Sequence, residues 1–348
     1  MGRPAARVLE AIKFATMRPT HPFTMTIQRN PGRLIAVGGG KGGVGKSVVS
    51  SNLAIAIAAL GAKVTVIDLD LGAANLHTLF GIARPEVGLQ DFLDREVELA
   101  ETTTRTSAYG VSLIAGSSQV GVANISHKQK QRLMSHIRQL PGDVILLDLG
   151  AGTTFNTLDF VDLADLRVVV MTPQMTSLQN AYSFLKAAVH RSVQLAADTG
   201  EEREVLATAV AQVKDTQRMG TLMAALAARS PVLARRCESL LAHYGTVVVG
   251  NQVRDDRDVQ IIGNMARMIR DFLQIPAPIQ ALIRDSAVIR DSVNARRPML
   301  LEGGGAAATE LRRLAQALLA PDVARLRHDR RHGGMTGTLD VPSMLATA

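Results

Sequence analysis

The stretch GGGKGGVGKSVVSSNLA, from Gly38 to Ala54, has the residue types of a phosphate site. Gly40, Gly45, Lys46 and Ser47 satisfy G-x-x-x-x-G-K-[ST]. Glycines at this spacing let backbone N–H groups converge on phosphate oxygens without side-chain clashes, and a helix starting at the loop's end adds its partial positive charge. Lys46 is then expected to reach the β and γ phosphates, and the Ser47 hydroxyl to ligate Mg²⁺. The expected phosphate segment is Gly40, Lys41, Gly42, Gly43, Val44, Gly45, Lys46, Ser47 and Val48. Lys41 is a second cation that binding a phosphate does not by itself require.

Such a loop works only between a strand and a helix. RLIAVGGG predicts a buried strand, and VGKSVVSSNLAIAIAAL predicts the following helix. KVTVIDLDL reads as a second strand with Asp68 and Asp70 at its carboxyl end; VSLIAG is a third, and GDVILLDLGAG another that ends at Asp148. LRVVVMTP and YGTVVVGNQVR repeat the plan, with helical patterns such as SHKQKQRLMSHIRQL, SLQNAYSFLKAAVHR and DVQIIGNMARMIRDFL between the strands. The alternation predicts an α/β fold: a mostly parallel sheet with helices on both faces and ligands at the carboxyl ends of the strands. A basic N-terminal tail is expected over 1–32, a P-loop domain over 33–320 with a helical insertion at about 201–243, and a disordered tail over 321–348. ATELRRLAQALLA has an apolar stripe (Leu311, Leu314, Leu318, Leu319) that is read as docking on the domain.

Within the loop, KGGVGKS is the deviant Walker A form, and the chain resembles the ParA/MinD family of dimerising ATPases, in particular its MinD-like and FlhG-like (FleN-like) members. VIDLDLGAANLHTLFG is similar to the family's D-x-D-x-G segment, VILLDLGAGT to its Walker B strand and switch, and VVMTPQMTSLQNAYSFLK and AVIRDSVNARRPML to FlhG-like segments. The resemblance implies ATP and Mg²⁺ as cofactors and slow, partner-stimulated ATP hydrolysis. It implies a homodimer when ATP is bound, in which Lys41 reaches the phosphates held by the other subunit. It places Asp148 at the Mg²⁺ water shell and Asn251, at the end of VVVGNQVR, on the adenine edge. Asp70 is the candidate for orienting the attacking water, and Asp68 supports either the Mg²⁺ shell or Lys46. Gln174 stands where FlhG-like members carry Glu, and Val48 lacks the hydroxyl that many relatives place there. The implied function is a switch that positions or regulates a cellular machine, such as a flagellar system; the alternative is a ParA-like DNA-partition ATPase.

Composition narrows the classes further. The chain has 348 residues, 47% hydrophobic but only 3% aromatic, with no Trp, so an aromatic platform for single-stranded nucleic acid has little to be built from. Cys237 is the one cysteine, which disfavours iron-sulfur carriers of the same superfamily and fits a reducing cytoplasm. Scattered tyrosines disfavour the bacterial tyrosine kinases that share the loop. No apolar run approaches the roughly 20 residues of a membrane span, so a cytoplasmic protein is expected, with peripheral contact to the inner membrane left open. The net charge of +8 is concentrated at the ends: Arg3, Arg7, Lys13, Arg18, Arg29 and Arg33 against Glu10, and Arg325, Arg327, Arg330 and Arg331 with Asp329. These clusters suit DNA or anionic lipid, or are solvated tails.

Overall fold

The computed structural model describes residues 32–71, 73–117, 125–213, 218–303 and 305–320. The basic segment expected over 1–32, apart from Gly32, and the tail expected over 321–348 lie outside the described residues. Eight strands form one sheet: β1 (Arg33–Gly38), β2 (Val64–Leu69), β3 (Thr103–Arg105), β4 (Ser112–Ile114), β5 (Val144–Leu149), β6 (Leu166–Met171), β7 (Thr246–Val253) and β8 (Ile279–Arg284). Their order is β3-β4-β2-β5-β1-β6-β7-β8, and every pairing is parallel except β3 with β4. The α/β architecture expected from the alternating pattern is the one observed. Its order reverses at β1, so the loop after β1 opens at the switch point between β5 and β6, where doubly wound sheets bind ligands.

The central strands are buried on both faces, which is why they read as continuous aliphatic runs. In β1, Leu34 and Ala36 join the apolar layer on one face, while Ile35 and Val37 join the layer on the other. The second layer is closed by α1 (Lys46–Ala59) and by the last described helix, Gly305–Leu319, whose Leu311, Leu314 and Leu318 are buried there. That helix docks on the domain as its stripe predicts.

Between these lie the short α2 (Leu76–Leu79) and α3 (Leu89–Leu93), then α4 (His127–Ile137), α5 (Phe155–Leu163) and α6 (Met175–Leu195). The expected insertion forms three helices, α7 (Gly200–Gln212), α8 (Met219–Ala227) and α9 (Pro231–Ala242), ahead of α10 (Asp256–Leu273). Leu206, Leu226, Leu233 and Leu241 from those three helices share one core with α6 and α10, so the insertion is part of the domain's packing. Cys237 is buried in the same layer, and burial pushes its thiol up to about 11, which leaves it unreactive at neutral pH.

Candidate functional site

The loop is built by glycine. Gly43 and Gly45 adopt φ values of 80° and 91°, a left-handed backbone that glycine takes without strain. A Cβ at Gly40 would run into the backbone of Asn180 in α6, and one at Gly39 would lie 2.6 Å from the Val170 carbonyl of β6. The loop is therefore wedged against β6 and α6. At Gly42 and Gly43 nothing lies within 4 Å of such a Cβ, so the loop's tip is open for a ligand to approach its backbone.

The two lysines diverge. Lys46, in the first turn of α1, is 7% exposed, and its Nζ lies 3.4 Å from the Lys41 carbonyl, inside the curve of the loop. Lys41 is exposed, and its Nζ lies 3.4 Å from the Thr176 hydroxyl at the start of α6. Ser47 and Val48 follow in the same turn of α1, both half-buried, and the Val48 carbonyl accepts a hydrogen bond from Asn52 Nδ2.

The carboxylates come from neighbouring strands. Asp148, the penultimate residue of β5, is 1% exposed and accepts hydrogen bonds from Ser47 and, at 2.7 Å, from Ser50. Burial pushes its carboxyl up to about 6 against the opposing pull of those hydroxyls and of Lys46. Asp68 stands opposite Asp148 in the parallel register of β2 and β5 and is equally buried. Burial, and then the Asp148 charge, push it up to about 7. Both Asp68 oxygens accept backbone amides, from Leu76 at 2.9 Å and Asp70 at 3.1 Å, so its carboxylate ties down the loop between β2 and α2. Asp70 lies beyond the end of β2, half-buried, facing Gly150 after β5.

The structure brings Lys46, Ser47, Asp68, Asp70 and Asp148 to one end of the sheet, while Lys41 stands at its rim. Asn251 of β7 is buried, and its Nδ2 donates 2.8 Å to the Val44 carbonyl, so this amide braces the loop. Beside it, the ends of β6, β7 and β8 enclose a cavity of about 130 Å³ lined by Thr172, Pro173, Gln174, Gln252, Arg254 and Asp285. The sequence reading singles out only Gln174 of these six. Thr172, Pro173, Arg254 and Asp285 lie just past strand ends and Gln252 is the penultimate residue of β7, and this position at the carboxyl ends is the signal that would have found them.

The donor set fits a magnesium nucleotide. Hydroxyl and carboxylate oxygens suit a hard cation, and Mg²⁺ needs few protein ligands when phosphates supply the rest. Among the described residues no group of three or more His, Cys, Asp or Glu could hold a metal ion unaided. A strand, a glycine loop with buried lysine, and an acidic strand beside it define a P-loop nucleotide-binding protein.

Comparison with known proteins carries this further. A family model described as ParA, NUBPL iron-transfer P-loop NTPase, matches residues 30–197. The chain is 35% identical over 160 residues to the antiactivator FleN of Pseudomonas aeruginosa, covering 45% of this chain and 56% of that protein. It is 30% identical over 192 residues to a septum site-determining protein MinD of Mesostigma viride, covering 54% of this chain and 67% of the other. MinD of Pyrococcus horikoshii complexed with Mg-ADP superposes with a TM-score of 0.55 at 19% identity, covering 83% of this chain and 97% of that one. The chain belongs to the ParA/MinD family of P-loop NTPases. It spans about half the length of the first curated relatives it matches.

Proposed function

We propose that this chain is an ATP-dependent dimerising switch that hydrolyses ATP slowly to position or regulate a cellular machine. The observation that carries the reading is the divergence of the two lysines. Lys46 is buried inside its own loop, whereas Lys41 points out of it to the rim. A cation there serves a triphosphate best from a second copy, as a finger supplied in trans. Two apolar side chains accompany it: Phe155 and Met175, 70% and 66% exposed, are the first residues of the helices that follow β5 and β6, the strands flanking β1. Their exposure supports a face that a second copy covers. Relatives named as septum site-determining and flagellum site-determining proteins support a positional role.

In this reading the loop amides and Lys46 bind the phosphates, and Ser47, with Asp148 behind it, holds the metal side of the nucleotide. Mg²⁺, when bound, neutralises charge on the β and γ oxygens. Asp70 orients the attacking water, and Asp68 holds the Asp70 backbone. Asn251 braces the loop next to the base side. An activating protein partner, and anionic lipid or DNA for the basic residues at Arg3–Arg18 and Arg325–Arg331, complete the proposal; both basic stretches lie outside the described residues. No helix among the described residues is long and apolar enough to cross a membrane. Asp70→Ala tests the chemistry: ATP binding persists while turnover falls about 10²-fold, the scale of losing a positioned acid–base group. Turnover at the wild-type rate would place the water-orienting role elsewhere.

A further inference from the structure

Asp70 is the first residue beyond β2. Its backbone is fixed on two sides: the Asp70 amide donates 3.1 Å to Asp68 Oδ1, and the Asp70 carbonyl accepts from Ala73 at 3.1 Å. The side chain faces Gly150, the first residue after β5, which is buried. A Cβ built on Gly150 would lie 2.8 Å from Asp70 Oδ1, 3.2 Å from its Cγ and 3.4 Å from its Cα, and these are its three nearest neighbours. Gly150 does not have a positive φ, so its backbone suits any residue. What a side chain would meet there is Asp70 and nothing nearer.

The geometry points to Gly150 as a positioning residue that sets where the Asp70 carboxylate stands, and with it the rate of hydrolysis, by having no Cβ. The Asp70 backbone is pinned, so a methyl group at position 150 turns the carboxylate instead of displacing the chain. A related close approach lies on the other side of β2. A Cβ on Gly116, after β4, would come 2.6 Å from Ala74 Cβ, 2.7 Å from the Asp68 carbonyl and 3.1 Å from Asp68 Cγ. Glycines after the two strands that flank β2 thus leave room beside Asp68 and Asp70. The inference rests on the reading of Asp70 given above. A misplacement of about 1 Å is enough to cost about 10²-fold in rate.

The experiment is a double-mutant cycle on the full chain with Gly150→Ala, Asp70→Ala and both together. ATP affinity is measured by calorimetry, turnover with Mg-ATP, and melting temperature without ligand. Gly150→Ala is expected to leave ATP affinity within about 2-fold and to lower kcat at least about 10-fold. Because Gly150 acts through Asp70, the double variant turns over at the rate of Asp70→Ala alone. It also recovers the melting temperature that Gly150→Ala loses, since the atoms in the way are gone.

An unchanged kcat in Gly150→Ala, or rate losses that multiply in the double variant, would overturn the inference. If Gly150→Ala does not fold, a folded double variant supports it, and a double variant that also fails to fold overturns it. Should Asp70→Ala itself hydrolyse ATP normally, the proposed role of Asp70 falls, and the melting temperatures still report whether the two positions compete for space.

Discussion

Replacing Asp68 by Asn should make the nucleotide-free protein more stable at pH 8 and not at pH 4.5. Asp68 and Asp148 face each other across β2 and β5, both 1% exposed, and bring two carboxylates out of water together. Burial, and then the Asp148 charge, push Asp68 up from 3.8 to about 7, so the folded chain keeps a proton that the unfolded chain releases. With more protons bound when folded, stability falls as pH rises from 3.8 to about 7. At about 1.4 kcal/mol per pH unit, that rise sets about 4 kcal/mol against the fold at pH 8. Asn removes this charge but has one acceptor oxygen for the two amides of Leu76 and Asp70, which costs about 1–3 kcal/mol. The charge term wins by about 2 kcal/mol, and at about 1.5 °C per kcal/mol for a domain of this size the melting temperature rises by about 3 °C. At pH 4.5 wild-type Asp68 is protonated and the gain disappears or reverses. The assay is thermal melting by circular dichroism in EDTA at both pH values. If Asp68→Asn melts below wild type at pH 8, the buried charge at Asp68 does not oppose the fold. The same variant is expected to lose turnover, because its weaker hold on the Asp70 amide trades activity for stability.

Two other outcomes follow from the site. Lys46→Ala removes the buried cation of the loop and is expected to abolish tight ATP binding; calorimetry that finds unchanged affinity contradicts this use of the loop. Phe155→Asp places a charge on the exposed face beside the loop, and is expected to leave the monomer's ATP affinity within about 2-fold while weakening ATP-induced self-association at least about 10-fold; equal association of wild type and variant by sedimentation counts against that face.

Much of this arrangement is legible in the sequence because its parts are local. The loop declares itself through Gly40, Gly45, Lys46 and Ser47, and the central strands through aliphatic runs that a sheet buried on both faces requires. β3 is a three-residue edge, TTR, too short to show a period. β8, IQALIR, is buried less continuously than the central strands, so its alternation competes with the helical patterns around it. What the sequence hides is long-range. Asn251 reaches the Val44 carbonyl from β7, and Asp68 answers the Leu76 amide across a loop. Gly150 matters through Asp70, a residue that follows another strand. No spacing rule encodes these contacts, because each depends on which strands become neighbours.

The central claim is that Lys41 serves the nucleotide of a second copy, and mass measured by light scattering tests it most directly. In an Asp70→Ala background, which keeps ATP bound, the protein is compared with and without Lys41→Ala, in ADP and in ATP. An ATP-dependent dimer is expected that disappears with Lys41→Ala while ATP remains bound to the monomer through Lys46, Ser47 and the loop amides. A Lys41→Ala variant that still dimerises as fully with ATP would contradict it.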